Sequence, residues 1–151
     1  MPTSFVDILQ TMALTYQDIC QGEDPWLPLG NFMNDFFGYH TDLREELLND
    51  PIQEPANTTP EQHRWATFCA ASVEYLCQKY DVPCPQWVHD PVYEKLPEPW
   101  FHSPLADKPR VRERLLRESP EPFARRNIFC SSRIFANKYE ISEDLSQRRS
   151  A

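Results

Sequence analysis

The chain has 151 residues, 40% of them apolar and 13% aromatic, which suits one folded domain and excludes a disordered segment. Three glycines against fifteen prolines leave the turns to Pro, Asn and Asp, and rule out a glycine-rich phosphate cradle. The formal net charge of −8 opposes non-specific binding to nucleic acid.

From the N-terminus, Ser4 stands as an N-cap with Asp7 three residues on. Phe5, Ile8, Leu9, Met12, Tyr16, Ile19 and Cys20 follow at helical spacing, and Gly22 closes the segment. "EDPWLPLG" reads as a proline-set loop that buries Trp26. "NFMNDFFG" reads as a short helix with Phe32, Met33, Phe36 and Phe37 inward. Thr41 caps "DLREELLND", Pro51 stops it, and residues 51–58 form a loop.

Thr59, Pro60 and Gln62 then occupy the N-cap, N1 and N3 positions of a helix running to about Tyr80. Trp65, Phe68, Cys69, Val73, Leu76, Cys77 and Tyr80 lie along one side of it, which makes it the expected core helix. Next comes "DVPCPQWVHDPVYEKLPEPWF", with five prolines and two tryptophans. It is expected to wrap over the helices as an ordered aromatic loop.

Asp107 and Pro109 open a further helix with Val111, Leu115 and Leu116 inward and Arg110, Arg114 and Arg117 outward. Ser119 is expected to cap a short helix from Pro120 to about Arg126. Arg125 and Arg126 then fall in its last turn, and Asn127 suits the left-handed position after it. Adjacent helical side chains point about 100° apart, so one arginine of the pair should turn inward to an acid and the other stay available. "NIFC" reads as a short strand or an extended segment. The fold expected is an all-α single domain over residues 1–140. It should hold five to seven helices, a Pro/Trp-rich wrap and room for one short strand. Within it, 1–58 is the acidic N-terminal part and 59–140 the core; 141–151 is a frayed tail.

No apolar run approaches the roughly 18 residues of a membrane span, and the N-terminus lacks a basic, then apolar, leader. The expectation is a cytoplasmic protein. Its five cysteines, without a CxxC pair, are expected to be free thiols, most of them buried. No two histidines stand three or four apart, so no metal and no cofactor is expected. His89, His102 and Cys84 on the wrap are the candidates if the chain is a small enzyme.

Charge is unevenly spread: residues 1–100 carry a net −12 and residues 101–151 a net +4. Arg110, Arg112, Arg114, Arg117, Arg125, Arg126 and Arg133 supply most of the positive charge of that last third. They either pair with the chain's own acids or present a planar, bidentate surface to a partner. The aromatic set Trp26, Trp87, Trp100 and Phe101 is likewise core or platform.

"WATFCAASVEYLCQKYDVPCPQWVHDP", "LPEPWF" and "RERLLRESPEPFARRNIFCSS" together carry a pattern. It consists of Trp65-Ala66, Pro85 to Val88, Pro99 to Phe101 and Ser119 to Phe129. In this the chain resembles, over about residues 60–135, a family of small bacterial proteins encoded as partners in toxin–antitoxin-type modules. Family members often stand beside a nucleotidyltransferase-like protein, and some carry a DNA-binding helix-turn-helix. The first 58 residues here are acidic and hold no basic recognition helix, so a protein partner is expected rather than DNA. The resemblance implies an antitoxin-like role, binding and restraining a partner such as a nucleotidyltransferase-like toxin. Arg110, Arg114, Arg117, Arg125, Arg126 and Asn127 are the expected partner-binding residues. A small enzyme and a transcriptional regulator are the alternatives.

Overall fold

The computed structural model describes residues 8–141. Ser4, Phe5 and Asp7, the expected start of the first helix, lie outside the described residues, as does the tail from 142 onward. Within them, helix α1 spans Met12–Cys20, and its cap is Thr11, whose hydroxyl accepts the Leu14 N–H at 3.1 Å. Residues 8–11 are not helical, and Ile8 is 67% exposed rather than inward. The Gln10 amide is drawn off to the Asp35 carboxylate at 2.9 Å, which fixes the chain in an extended entry. Met12, Tyr16 and Ile19 are buried as their spacing requires.

Helix α2 (Trp26–Asn34) starts earlier than expected, inside the stretch read as a proline loop. Pro28 falls in the first turn, where a helix does not need the missing N–H, and Asp24 accepts the Trp26 N–H at 3.0 Å. A π-helical turn over Asp35–Tyr39 extends α2 and buries Phe36 and Phe37. Helix α3 (Arg44–Asn49) follows a 3-10 turn, and Thr41 makes no capping bond. Asp50, extended before Pro51, ends it.

Helix α4 (Pro60–Tyr80) has the full capping box between Thr59 and Gln62 and ends at Asp81 with a left-handed φ of 56°. The expected apolar stripe is buried down to Cys77, with Tyr80 half-buried, but α4 is more than amphipathic. Every residue from Trp65 to Glu74 is buried, including Ala66, Ala70 and Ala71. These small side chains let α1, α6 and the wrap approach from different sides. The buried hydroxyls of Thr67 and Ser72 bond the carbonyls of His63 and Phe68 one turn back, so neither is left unpaired.

The wrap is ordered by two 3-10 turns, Gln86–His89 and Pro91–Tyr93, and Trp87 donates its indole N–H to the Leu48 carbonyl at 3.1 Å. It ends in strand β1 (Trp100–Phe101). Helix α5 (Pro109–Glu118) begins after Lys108, not at Asp107, and buries only Val111 and Leu115. Leu116, expected inward, is 53% exposed. α5 packs against β2 with Val111 and Leu115 as its buried residues, and Leu116 lies about 100° round the helix from Leu115.

Helix α6 spans Glu121–Ala124. Ser119 does not cap it, since its hydroxyl is engaged by the Leu115 carbonyl and the backbone of Cys130. Ser119 instead ends α5, and its hydroxyl accepts the Cys130 N–H at 2.9 Å. Strand β2 (Ile128–Phe129) pairs in parallel with β1, Trp100 opposite Ile128 and Phe101 opposite Phe129. Two strands thus stand where one was expected. The fold is otherwise all helical and compact, and a further helical stretch begins at 138, where Asn137 accepts the Glu140 N–H. Among the described residues no helix is long and apolar enough to cross a membrane.

Candidate functional site

The arginines divide into two groups with opposite surroundings. Arg126 is 2% exposed and fully engaged. Its guanidinium donates to Glu74 Oε1 (2.7 Å), Pro122 O (2.8 Å), Tyr93 O (2.9 Å) and Val88 O (2.9 Å). Arg125 reaches the same oxygen of Glu74 and also pairs with Glu121 at 2.9 Å, one turn back in α6. Neither arginine is therefore free, contrary to the expectation that one would be, and Arg126 is an internal tie rather than a partner contact. Burial pushes the Glu74 carboxyl up, but the hydrogen bonds and charges of Arg125 and Arg126 outweigh it and hold the group below its ordinary value.

Asn127 does take the left-handed conformation, at φ 69°. Its side-chain amide donates to Leu96 O at 3.1 Å, and its own carbonyl accepts the Trp100 N–H at 2.9 Å. With Leu96 N–H bonded to Arg126 O, this pins β2 against the wrap. The Pro-Trp-Phe and Arg-Asn-Ile-Phe motifs are thus two sides of one joint.

The second group lies on α5. Arg110, Arg114 and Arg117 are exposed, and none has an ion pair among the described residues. Their i, i+4, i+7 spacing puts them in one row, within about 60° around the helix and about 10 Å along it. Arg112 is held differently, its Nε–H on Ala106 O and its guanidinium 5.0 Å from the centre of the Phe101 ring. Leu116, together with Leu105 before the helix, adds exposed apolar surface to this end of the molecule.

The wrap histidines have separate settings. His102 sits in an aromatic box: its ring stacks on Trp26 at 5.9 Å and meets Trp65 and Trp100 edge to face at 5.4 and 5.2 Å. Its Nε2 accepts the Trp26 indole N–H at 3.2 Å, so the ring is neutral at this nitrogen. Burial first, then the charge of Arg64, lowers its pKa. His63 pins the 51–58 loop, with Nδ1 3.0 Å from Glu54.

His89 is exposed, with Nε2 3.9 Å from the Cys84 sulfur. Beside it, Glu74, Asp90, Glu94 and Arg125 bound a cleft of about 320 Å³. The buried charges there satisfy one another, and among the described residues no carboxylate orients His89. Burial raises the Cys84 thiol, which is unfavourable for a nucleophile. Among the described residues no group of three or more His, Cys, Asp or Glu is placed to hold a metal.

Glu74 is the residue that sequence reasoning passed over. Its signal was present, since it is the one charged residue in the stretch from Trp65 to Cys77. Compared with protein-family models, curated proteins and solved structures, the chain matches none.

Proposed function

We propose that the chain is a non-catalytic protein that docks on an acidic surface of a partner protein through the arginine row of α5. The observation that carries this reading is that Arg110, Arg114 and Arg117 stay exposed and unpaired among the described residues, in a chain of net charge −8. Arg125 and Arg126 take up acids of the fold; the α5 row takes none among the described residues. Planar guanidinium groups at helical spacing suit carboxylates presented by a partner, and the exposed Leu116 supplies apolar contact beside them. The restraining, antitoxin-like role rests on the resemblance of residues 60–135 to partners of toxin–antitoxin-type modules. A nucleotidyltransferase-like toxin in the cytoplasm is the partner this reading favours. DNA is a poorer fit, because Glu113 and Glu118 flank the row and the rest of the molecule repels phosphate.

Co-expression with the product of the neighbouring gene tests the reading. Reversing all three charges, Arg110→Glu, Arg114→Glu and Arg117→Glu, should weaken the complex by roughly 10- to 100-fold, mainly through slower association and with a reduced salt dependence. The thermal midpoint should hardly move. An unchanged Kd for a complex that does form would remove α5 from the interface.

A further inference from the structure

The small sheet carries an inference independent of the α5 row, because one of its edges is open. In β1 the Trp100 N–H bonds Asn127 O at 2.9 Å, and the His102 N–H just beyond the strand bonds Phe129 O at 2.8 Å. The peptide planes are trans, so the carbonyls of Pro99 and Phe101 point the opposite way, out of the sheet. The parallel register sends the Phe101 N–H to that same side. None of these groups has a hydrogen-bond partner among the described residues. On the β2 side, by contrast, α5 packs against the sheet and Ser119 takes the outward Cys130 N–H. A strand edge left open is a template for a further strand.

The surroundings of the open edge select its occupant. Trp100 and Phe101 are consecutive strand residues, so their side chains stand on opposite faces. Each carries an arginine. The Arg64 guanidinium lies 4.9 Å from the centre of the Trp100 ring, and that of Arg112 5.0 Å from the centre of the Phe101 ring. Both arginines are exposed and form no ion pair among the described residues. Arg112 uses only its Nε–H within the fold, on Ala106 O. A guanidinium stacked on a ring keeps in-plane N–H groups free for a carboxylate. Beside Pro99 a groove of about 510 Å³ runs between residues 96–99 and the start of α4, with room for a side chain; Glu61 and Glu98 line it without pairing with Arg64.

We propose that the outer edge of β1 takes an extended, acidic segment of a partner protein as a further strand. The Phe101 N–H and C=O exchange hydrogen bonds with one residue of the segment, and Pro99 O accepts an N–H from the next residue but one. Adjacent acids in the segment fall on opposite faces, one meeting Arg64 and the other Arg112. Pro99 has no N–H to give and β1 is short, so the main chain alone binds weakly and the two arginines supply the selectivity.

The test uses the full chain and a fluorescein-labelled peptide in which adjacent glutamates are flanked on each side by valines. Fluorescence anisotropy should show saturable binding, and the bound peptide should slow hydrogen exchange at the Phe101 amide. Arg64→Gln and Arg112→Gln together should weaken binding by about tenfold, with the thermal midpoint unchanged. Methylating the backbone nitrogens on one edge of the peptide should abolish binding, because it removes the donors the β1 carbonyls need. Arg110→Gln, Arg114→Gln and Arg117→Gln together should change the affinity by less than about threefold, which separates this edge from the proposed α5 interface. Absence of saturable binding, equal binding of the peptide with lysines in place of its glutamates, or a Phe101 amide that exchanges as fast in the bound chain would each overturn the proposal. Loss of binding in the α5 variant would overturn it too, since it would put the peptide on the arginine row.

Discussion

Replacing Arg126 by methionine keeps the length of the side chain and removes every donor it brings to the interior. Glu74 loses its buried partner, and the carbonyls of Val88, Tyr93 and Pro122 lose their N–H groups. Breaking a buried ion pair from one side costs about 3–5 kcal/mol, and each orphaned carbonyl about 1 kcal/mol more where water cannot reach it. Arg125 still reaches Glu74 and keeps part of the compensation, so the net cost should be about 3–4 kcal/mol. A domain of this size would then melt roughly 10 °C lower. Urea unfolding followed by tryptophan fluorescence, with thermal melts by circular dichroism, measures it. Arg125→Met, at a half-exposed position, should cost at most about 1 kcal/mol. An Arg126→Met variant within about 0.5 kcal/mol of wild type would show that no buried pair of consequence had been broken. If Arg125→Met proved the more damaging of the two, Arg125 and not Arg126 would be the principal partner of Glu74.

Acid should weaken the fold in two stages. His102 is held below its ordinary 6.5, so as pH falls through that value the unfolded chain binds the proton first. Stability is full above it and declines toward the lower folded value. Glu74 is depressed below its ordinary 4.5, so its contribution is present above that pH and is lost as pH falls through the folded value. Glu74→Gln should flatten this second stage in urea midpoints taken across pH. Trp65→Ala, which empties a site between Phe68, Trp100 and His102, should cost about 3–5 kcal/mol in the same unfolding assay. At Gly38 a methyl group would run into the Tyr139 ring. Gly38→Ala should therefore free that ring and break its bond to Asn34, read as faster amide exchange around residue 139.

The helices that carry strong local signals were legible in the residues. Thr59, Pro60 and Gln62 mark the start of α4, and the proline-rich wrap announces itself by composition. What stayed hidden depends on partners distant in sequence. Gln10 is drawn out of helical geometry by Asp35, and Ser119 is taken from its capping role by Cys130. Pro25 and Pro28 signal a loop in isolation, yet Pro25 fits the N-cap of α2 and Pro28 its first turn, where no N–H is needed from them. The division of the arginines was invisible for the same reason. Nothing in "FARRN" says that both guanidinium groups converge on Glu74, some fifty residues earlier. The lone acid inside an otherwise uncharged helix face was the available clue.

The Glu74–Arg126 tie also sets an order on biosynthesis. A chain made from its N-terminus completes α4 with a carboxylate on a face destined for the interior, and its partner is 52 residues further along. The wrap waits as well, because the carbonyls of Val88, Tyr93 and Leu96 accept from the side chains of Arg126 and Asn127, and the Leu96 N–H donates to Arg126 O. Until α6 emerges from the ribosome, α4 has neither its charge partner nor the cover that buries Phe68 against Phe123. The nascent protein therefore passes through a long interval with its central helix uncovered, and closes only when its last quarter arrives. A premature stop before residue 126 would leave almost all the apolar residues of the core in the chain, and no means of shutting it.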